Sequence, residues 1–426
     1  MEAHRFAAAA LAAALSATPP LTAQRPAVAD TLLSRLTAEA LAASPGLGIL
    51  DGRARAASAR VRAAGALPDP GLSLTAMDLT LPHLRFRESD FTEVDLEARQ
   101  EFPWPGTLGA RSRAAVAAFQ GRKADLAAAR REVVVTTAEL YHRLRYLAGA
   151  REVLRSQRAL LDRSLEIATA RYATGSAPQS DPLAARAARA RLGMEEATLV
   201  ADETSVRAKL RALRGRVEPE SLPVTALHPE EVLALYPTLA AHPHGDVGSL
   251  ARHPRLLMRQ AAIASAEETA RAEALGARPD FELMARYGAR PIASDFLSLG
   301  VGLRLPLWAG RKQRLLAQAE RDEADAERAA LAEEQRTLTA EFEAALAEAT
   351  AGLTQLRLLL EEVIPSAEAG REAALRSYGL GQVDFQSVLD AEDRVYRARL
   401  DAADVSTRHL THLVMLEELT REEELP

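Results

Sequence analysis

Tyr172-Ala173-Thr174-Gly175, followed by Asp181 and Leu183, returns 206 residues later as Tyr378-Gly379-Leu380-Gly381, followed by Ser387 and Leu389. Two landmarks upstream recur in the same order. Pro68-Asp69 returns as Pro279-Asp280, and Phe102-Pro103-Trp104-Pro105-Gly106 returns loosely as Leu305-Pro306-Leu307-Trp308-Ala309-Gly310. Landmarks that keep their order at a near-constant offset mark a chain built twice. Each copy reads as a helix, two strands, a very long helix, a glycine turn and another helix. The copies occupy 24–215 and 250–426. The Pro-, His- and Gly-rich stretch 216–249 between them reads as an irregular linker or lateral element.

The long helices are expected over about Thr107 to Arg171 and Gly310 to Ser377, each on the order of 100 Å at 1.5 Å per residue. A seven-residue seam runs through the first at Leu126, Val133, Leu140, Leu147, Leu154, Leu161 and Ala168. The second carries Phe342, Ala349, Leu356 and Val363, with Leu346, Leu353 and Leu360 beside them. That spacing predicts coiled-coil packing against neighbouring helices rather than a globular core.

The strands alternate with period two. Val94, Leu96 and Ala98 interleave with Asp95, Glu97 and Arg99; Phe281, Leu283, Ala285 and Tyr287 with Glu282, Met284, Arg286 and Gly288. Leu297 to Leu305 alternates likewise, and Leu72 to Leu79 is the least regular. Lengths near the ~9–11 residues of a transmembrane strand, with one apolar and one charged face, suit a membrane barrel. A half-buried sheet of a soluble protein alternates in the same way. Aromatic placement separates the two. Of 18 aromatic residues, Phe86, Phe91, Phe102, Trp104, Phe281, Tyr287, Phe296 and Trp308 fall in the strand regions, and both tryptophans stand where a strand gives way to a long helix. Rings at strand ends are what an interfacial girdle requires. Four strands cannot close a barrel, and open edges in lipid leave backbone groups unpaired. Strands that cross a membrane here therefore require oligomerisation.

Composition fits this plan. Hydrophobic residues make up 48% but aromatics only 4%, the signature of long alanine-rich helices rather than a sandwich or a nucleotide-binding enzyme. The net charge of −6 is modest and acids interleave with arginines, which argues against nucleic acid as a partner. With no cysteine, disulfides, thiolate metal sites, cysteine nucleophiles and a lipid-anchored N-terminal cysteine are excluded. Arg5, the apolar run Phe6 to Leu15 and Thr18-Pro19-Pro20 read as an export signal over 1–23, cleaved near Ala23 or Gln24.

The duplicated Tyr-x-x-Gly turn, the paired strand hairpins and the Pro-to-Gly exit from each hairpin (Pro103 to Gly106, and loosely Pro306 to Gly310) resemble the TolC-like outer-membrane efflux family over essentially the whole mature chain. The resemblance implies a mainly α fold with a small transmembrane β part. It implies a homotrimer whose twelve strands form a barrel in outer-membrane lipid, continued by an α-helical tunnel across the periplasm. It also implies a periplasmic adaptor and an inner-membrane transporter as partners, met at the helix tips that carry Tyr172, Gly175, Gly381 and Val383. The function implied is a passive exit duct, not an enzyme, with no cofactor. The run Gln100 to Gly106 resembles the strand exit of the heavy-metal, CzcC-like branch, so metal cations or small toxic compounds are the implied cargo.

Family gate positions map onto named residues. Asp390, in Ser387-Val388-Leu389-Asp390, matches an inward-facing aspartate that rings the aperture; Ser387 stands where relatives often carry a second. Three facing carboxylates would attract cations and resist simultaneous ionisation. Tyr378 and Asp181 match a pair that holds neighbouring hairpins closed through a hydrogen bond. Val383 stands where the family can carry a basic latch. Each position also has a plainer reading. Asp181, just before Pro182, fits a helix N-cap, and Tyr172 and Tyr378 fit packing residues. His242, His244 and Asp246 in the linker, and His409 with His412 on the last helix, read as solvated or capping residues rather than metal ligands.

The alternative function is a periplasmic coiled-coil adaptor of the same pumps, which would carry one hairpin rather than a whole-chain duplication. An enzyme is opposed by the lack of a phosphate-binding glycine loop, an HExxH helix and a Gly-x-Ser-x-Gly elbow.

Overall fold

The computed structural model describes residues 30–79, 92–239 and 245–421. The export signal at 1–23, Phe86, Phe91, His242 and His244 lie outside the described residues.

Asp30 starts α1 (Thr31–Ala43) by accepting from the backbone N–H groups of Leu32 and Leu33 at 3.1 and 3.2 Å. Pro45 at the first helical position starts α2 (Pro45–Ala64). A hairpin follows, β1 (Gly71–Met77) and β2 (Glu93–Phe102), then α3 (Thr107–Ala173) and α4 (Ser180–Leu213). Gly106, at φ +94°, makes the left-handed turn that lets α3 begin directly after the strand. A short α5 (Pro229–Leu235) lies in the connecting segment. The second copy runs α6 (Pro254–Leu275), β3 (Asp280–Ala289), β4 (Phe296–Arg304), α7 (Gln313–Leu358), α8 (Ile364–Gly379) and α9 (Phe385–Thr420). Among the described residues no helix is long and apolar enough to cross a membrane.

The strands form one antiparallel sheet in the order β1-β2-β3-β4. Its register stacks apolar rows such as Leu72, Ala98, Ala285 and Leu299, or Leu74, Leu96, Tyr287 and Leu297, on one face. The other face carries Glu93, Asp95, Glu97, Arg99, Glu101, Glu282, Arg286 and Arg304. Arginines there span strands: Arg99 pairs with Glu97 and Glu282, Arg286 with Glu93 and Asp95, Arg304 with Glu101 and Glu282. The aliphatic face is exposed, with Leu72 at 73% and Leu299 at 77%, and on the charged face the carboxylates lie deeper, Asp95 being only 4% exposed.

The two copies are joined where strands become helices. Asp280, from the repeated Pro-Asp landmark, accepts the backbone N–H of Trp104 at 2.9 Å, and the Trp104 ring stacks on Phe281 with centroids 5.8 Å apart. Below this, α6 bridges the long helices. Ser265 donates to the Ala114 carbonyl of α3, while Arg255 pairs with Glu334 and Glu341 of α7 at 2.5 and 2.7 Å. Buried Arg131 of α3 donates to the carbonyls of Glu418 and Arg421, satisfying the free end of α9. Apolar contacts form a series of small layers along the helices, as a heptad seam dictates.

The first seam is buried at Val133, Leu147, Leu154, Leu161 and Ala168 and partly buried at Leu126 and Leu140. The second long helix departs from expectation in two ways. It begins at Gln313, after turns through 307–312, rather than at Gly310. It is also broken by a π-helical segment, Leu359–Val363, just before Pro365. Proline has no N–H to give the preceding turn, and a π turn absorbs one extra residue. The helix face rotates accordingly: Val363 is exposed, and Ile364 takes its place against Leu356 and Val405.

Buried His142 and His253 have their imidazole pKa lowered to about 4, first by desolvation and then by nearby arginines, Arg145 and Arg131 respectively. Between pH 6.5 and 4 the unfolded chain binds these protons and the folded one does not. Stability present above pH 6.5 is therefore lost on acidification, by roughly 1.4 kcal/mol per pH unit for each histidine. Melting curves of detergent-solubilised protein from pH 7 to 4.5 should fall accordingly, and His142→Gln with His253→Gln should flatten the slope. An unchanged slope would place the acid sensitivity elsewhere.

Candidate functional site at the helix tips

Each long helix ends in the same local motif. Gly175 and Gly381 sit at φ +72° and +73°. Ser176 N–H bonds the Arg171 carbonyl at 2.8 Å, and Gln382 N–H bonds the Ser377 carbonyl at 2.9 Å. These are six-residue closing bonds over a left-handed glycine, the Schellman way of finishing a helix. The Tyr-x-x-Gly spacing is thus the spacing of a helix stop, which reverses the chain into α4 and α9.

The two turns meet at Tyr378. Its hydroxyl donates to Asp181 Oδ2 at 2.9 Å, and both side chains are buried. The ring packs against Phe385, centroids 5.2 Å apart, in a cluster with Ala168, Ala185 and Val388. Burial, followed by the bond to Asp181, pushes the Tyr378 pKa up to about 12, so the phenol remains a donor throughout the physiological range. The capping alternative for Asp181 does not describe its contacts. The carboxylate takes the Tyr378 and Ser180 hydroxyls, and the α4 N-cap, Gln179, makes no side-chain cap bond. Capping belongs instead to Asp384 in the other copy, which accepts from the Ser387 N–H at 2.9 Å and hydroxyl at 2.6 Å. Those two bonds lower the Asp384 pKa.

The other expected site residues are placed as follows. Asp390 is exposed on α9, one turn beyond Gln386, which donates to its Oδ1 at 2.7 Å. Ser387 is half-buried beneath Asp384. Val383 is partly buried and packs against the Tyr378 cluster. Tyr172, 44% exposed, does not join its repeat partner in the cluster.

Three contacts that periodicity did not single out link the first hairpin to the second. Arg171 of α3 stacks over the Tyr378 ring at 4.6 Å and donates to the Tyr378 carbonyl. Ser164 of α3 donates to buried Glu392 of α9 at 2.6 Å, and Tyr396 of α9 donates to Glu195 of α4 at 2.6 Å. Desolvation raises the Glu392 pKa. A signal existed for Glu392: it occupies the 3-4 spaced core position between Val388 and Val395, where an acid is out of pattern. Among the described residues no three His, Cys, Asp or Glu side chains converge to hold a metal. His409 is buried with Nδ1 2.9 Å from the Ala349 carbonyl, its ring seated against Gly352.

Comparison with known proteins adds a family. A family model described as Outer membrane efflux protein matches residues 36–216 and 248–420. No curated protein sequence matches the chain. Among solved structures, the outer-membrane channel OprN superposes with a TM-score of 0.78 at 19% identity, over 93% of this chain and 91% of that one. CusC, a protein that undergoes conformational changes accompanying folding and transmembrane channel formation, gives 0.78 at 16% identity over 92% of each chain. The outer membrane protein VceC from Vibrio cholerae gives 0.77 at 20% identity, over 91% of this chain and 96% of that one. At these identities the likeness is one of fold.

Tyr378→Phe should leave Asp181 Oδ2 without its donor, at a local cost of about 1–3 kcal/mol. Amide exchange across 172–183 should then accelerate. Unchanged exchange would reduce Tyr378 to a packing residue against Phe385.

Proposed function

Since the chain belongs to the outer membrane efflux protein family, we propose that it is the outer-membrane exit duct of a multi-part efflux pump, and that it works as a homotrimer. The observation that carries this reading is the inside-out sheet. Its aliphatic face is exposed and its charged face is internally paired. In water such a face would be a large unsatisfied apolar patch; in an outer membrane it meets lipid. Closing the sheet edges takes further copies, and three would make a barrel of twelve strands around a charged interior. The helices of α3, α4, α7, α8 and α9 then continue the passage through the periplasm. A family match over both copies sets aside the single-hairpin adaptor.

The tips are the natural gate and docking end. Tyr378 with Asp181 holds the turns of one chain together. Exposed Asp390 supplies a carboxylate ring when three copies surround an axis. Tyr172, Gly175, Gly381 and Val383 form the end offered to a periplasmic adaptor and an inner-membrane transporter. The duct is passive, with transport driven by those partners and no chemical step of its own. Its cargo is metal cations or small toxic compounds, the former suggested by the heavy-metal-like strand exit at Gln100 to Gly106.

Asp390→Ala should weaken block of the purified channel by divalent cations in planar bilayers; equal block in both proteins removes Asp390 from the aperture. A deletion strain should lose tolerance either to zinc, cobalt, nickel and copper or to dyes and antibiotics. Selective metal sensitivity with rising intracellular metal assigns the cargo to cations. Drug sensitivity with normal metal tolerance assigns it to organic compounds, and full tolerance to both sinks the export reading.

A further inference from the structure

We infer that the groove between α6 and α7, just below the sheet, binds the phosphate of an anionic phospholipid in the inner leaflet of the outer membrane. The inference rests on the duct reading above, which puts the aliphatic face of the sheet in lipid. Arg278, in the turn that leaves α6, and Arg314 and Arg321 of α7 line one pocket of about 570 Å³. The rest of the lining is alanine and Gln318, with no acid. None of the three guanidiniums has an ion pair or hydrogen bond among the described residues. The arginines of the sheet just above, by contrast, are all held by carboxylates. Like charges gathered without a counter-charge favour an anion, and planar guanidiniums match the geometry of phosphate.

Position selects lipid among anions. Arg278 stands two residues before Asp280, where β3 begins, and Arg314 is the second residue of α7. The groove thus opens where the apolar band of the sheet ends, the level at which a bilayer carries its headgroups. Leu307 and Trp308, exposed at 78% and 71%, lead into α7, and exposed Leu315 follows Arg314. An apolar rim beside a cationic pocket suits an amphiphile, whose chains cover the rim while its phosphate meets the arginines. A second copy is not placed to fill the groove. α2 packs on α3, α3 on α6 and α6 on α7, so a closing copy meets the free flanks of α2 and α7. The first repeat lacks the cluster. With Trp104 aligned on Trp308, Arg314 and Arg321 correspond to Ala110 and Ala117. With Pro68 aligned on Pro279, Arg278 corresponds to Leu67. The same joint of strand and helix is therefore built without these arginines, and joining the elements does not explain them.

The test uses full-length protein in a non-ionic detergent, titrated with phosphatidylglycerol, phosphatidylcholine or inorganic phosphate, with bound ligand read by native mass spectrometry. Wild-type protein should hold phosphatidylglycerol at one site per chain and prefer it to the other two by on the order of tenfold. Arg314→Gln with Arg321→Gln should weaken phosphatidylglycerol on the order of tenfold, as expected for loss of charge-assisted hydrogen bonds. Arg163→Gln with Arg186→Gln removes the same charge from exposed positions on α3 and α4 and should leave affinity within about twofold. Equal binding of the two lipids by wild-type protein overturns the inference. An equal loss in both double variants also overturns it, by assigning the attraction to net charge. Inorganic phosphate that binds as tightly as the lipid overturns the lipid assignment. Should the α7 variant fail to assemble, Arg278→Gln carries the same test. The same preparation is placed in planar bilayers. Channels without a lipid preference remove this inference and leave the duct reading standing. A wild-type protein that forms no channel removes the duct reading, and this inference with it.

Discussion

An aliphatic face turned outward commits the sheet to hydrocarbon surroundings, and hydrocarbon offers no water to the backbone groups along β1 and β4. Inside the sheet every strand has its ladder; at the two edges the outward N–H and C=O groups have no strand partner among the described residues. The need to close those edges governs everything below. In the proposed trimer it sets the copy number and would place the charged face around an axis, with the long helices leaving at the strand ends. The joint at Trp104 makes that exit rigid. A backbone bond to Asp280 and a stacked ring on Phe281 tie the start of α3 to a strand of the other copy, so the two helical hairpins descend from one foundation.

Along the helices the contacts change character. Toward the sheet, α6 is wedged between α3 and α7 with ion pairs on both sides. Lower down, small apolar layers alternate with single buried polar contacts such as Ser164 with Glu392. A polar group inside a coiled seam costs desolvation but penalises any sliding that would strand it unpaired, which is how such positions fix register. At the tips, apolar packing and polar contacts converge on Tyr378.

Much of this was legible in the sequence because it is periodic. The doubled Tyr-x-x-Gly motif announced two helix stops, the heptads announced the buried side of α3, and alternation announced the two faces of the sheet. What escaped was what depends on a single residue out of pattern. Pro365 shifted the second seam from Val363 to Ile364, a change that a heptad count passes over. Arg171 looks like any solvated arginine next to Tyr172, and only the return of the second hairpin gives it a ring and a carbonyl to hold. Asp181 stood at a position equally suited to capping. The choice depended on where Tyr378 lies in space, 197 residues away.

The charged face of the sheet has a bearing on traffic. Arg99, Arg286 and Arg304 each contact two carboxylates, and Arg290 leans on Glu93. A guanidinium already engaged in this way has little left to offer a passing phosphate or carboxylate. Acids outnumber arginines on the face, yet they are shared out among those arginines rather than gathered into a cup. As the wall of the proposed duct it would be wet and charged but a poor adsorbent, offering a solute of either sign few free partners. For the proposed passive conduit, low friction along the final stretch would matter more than any single attractive site.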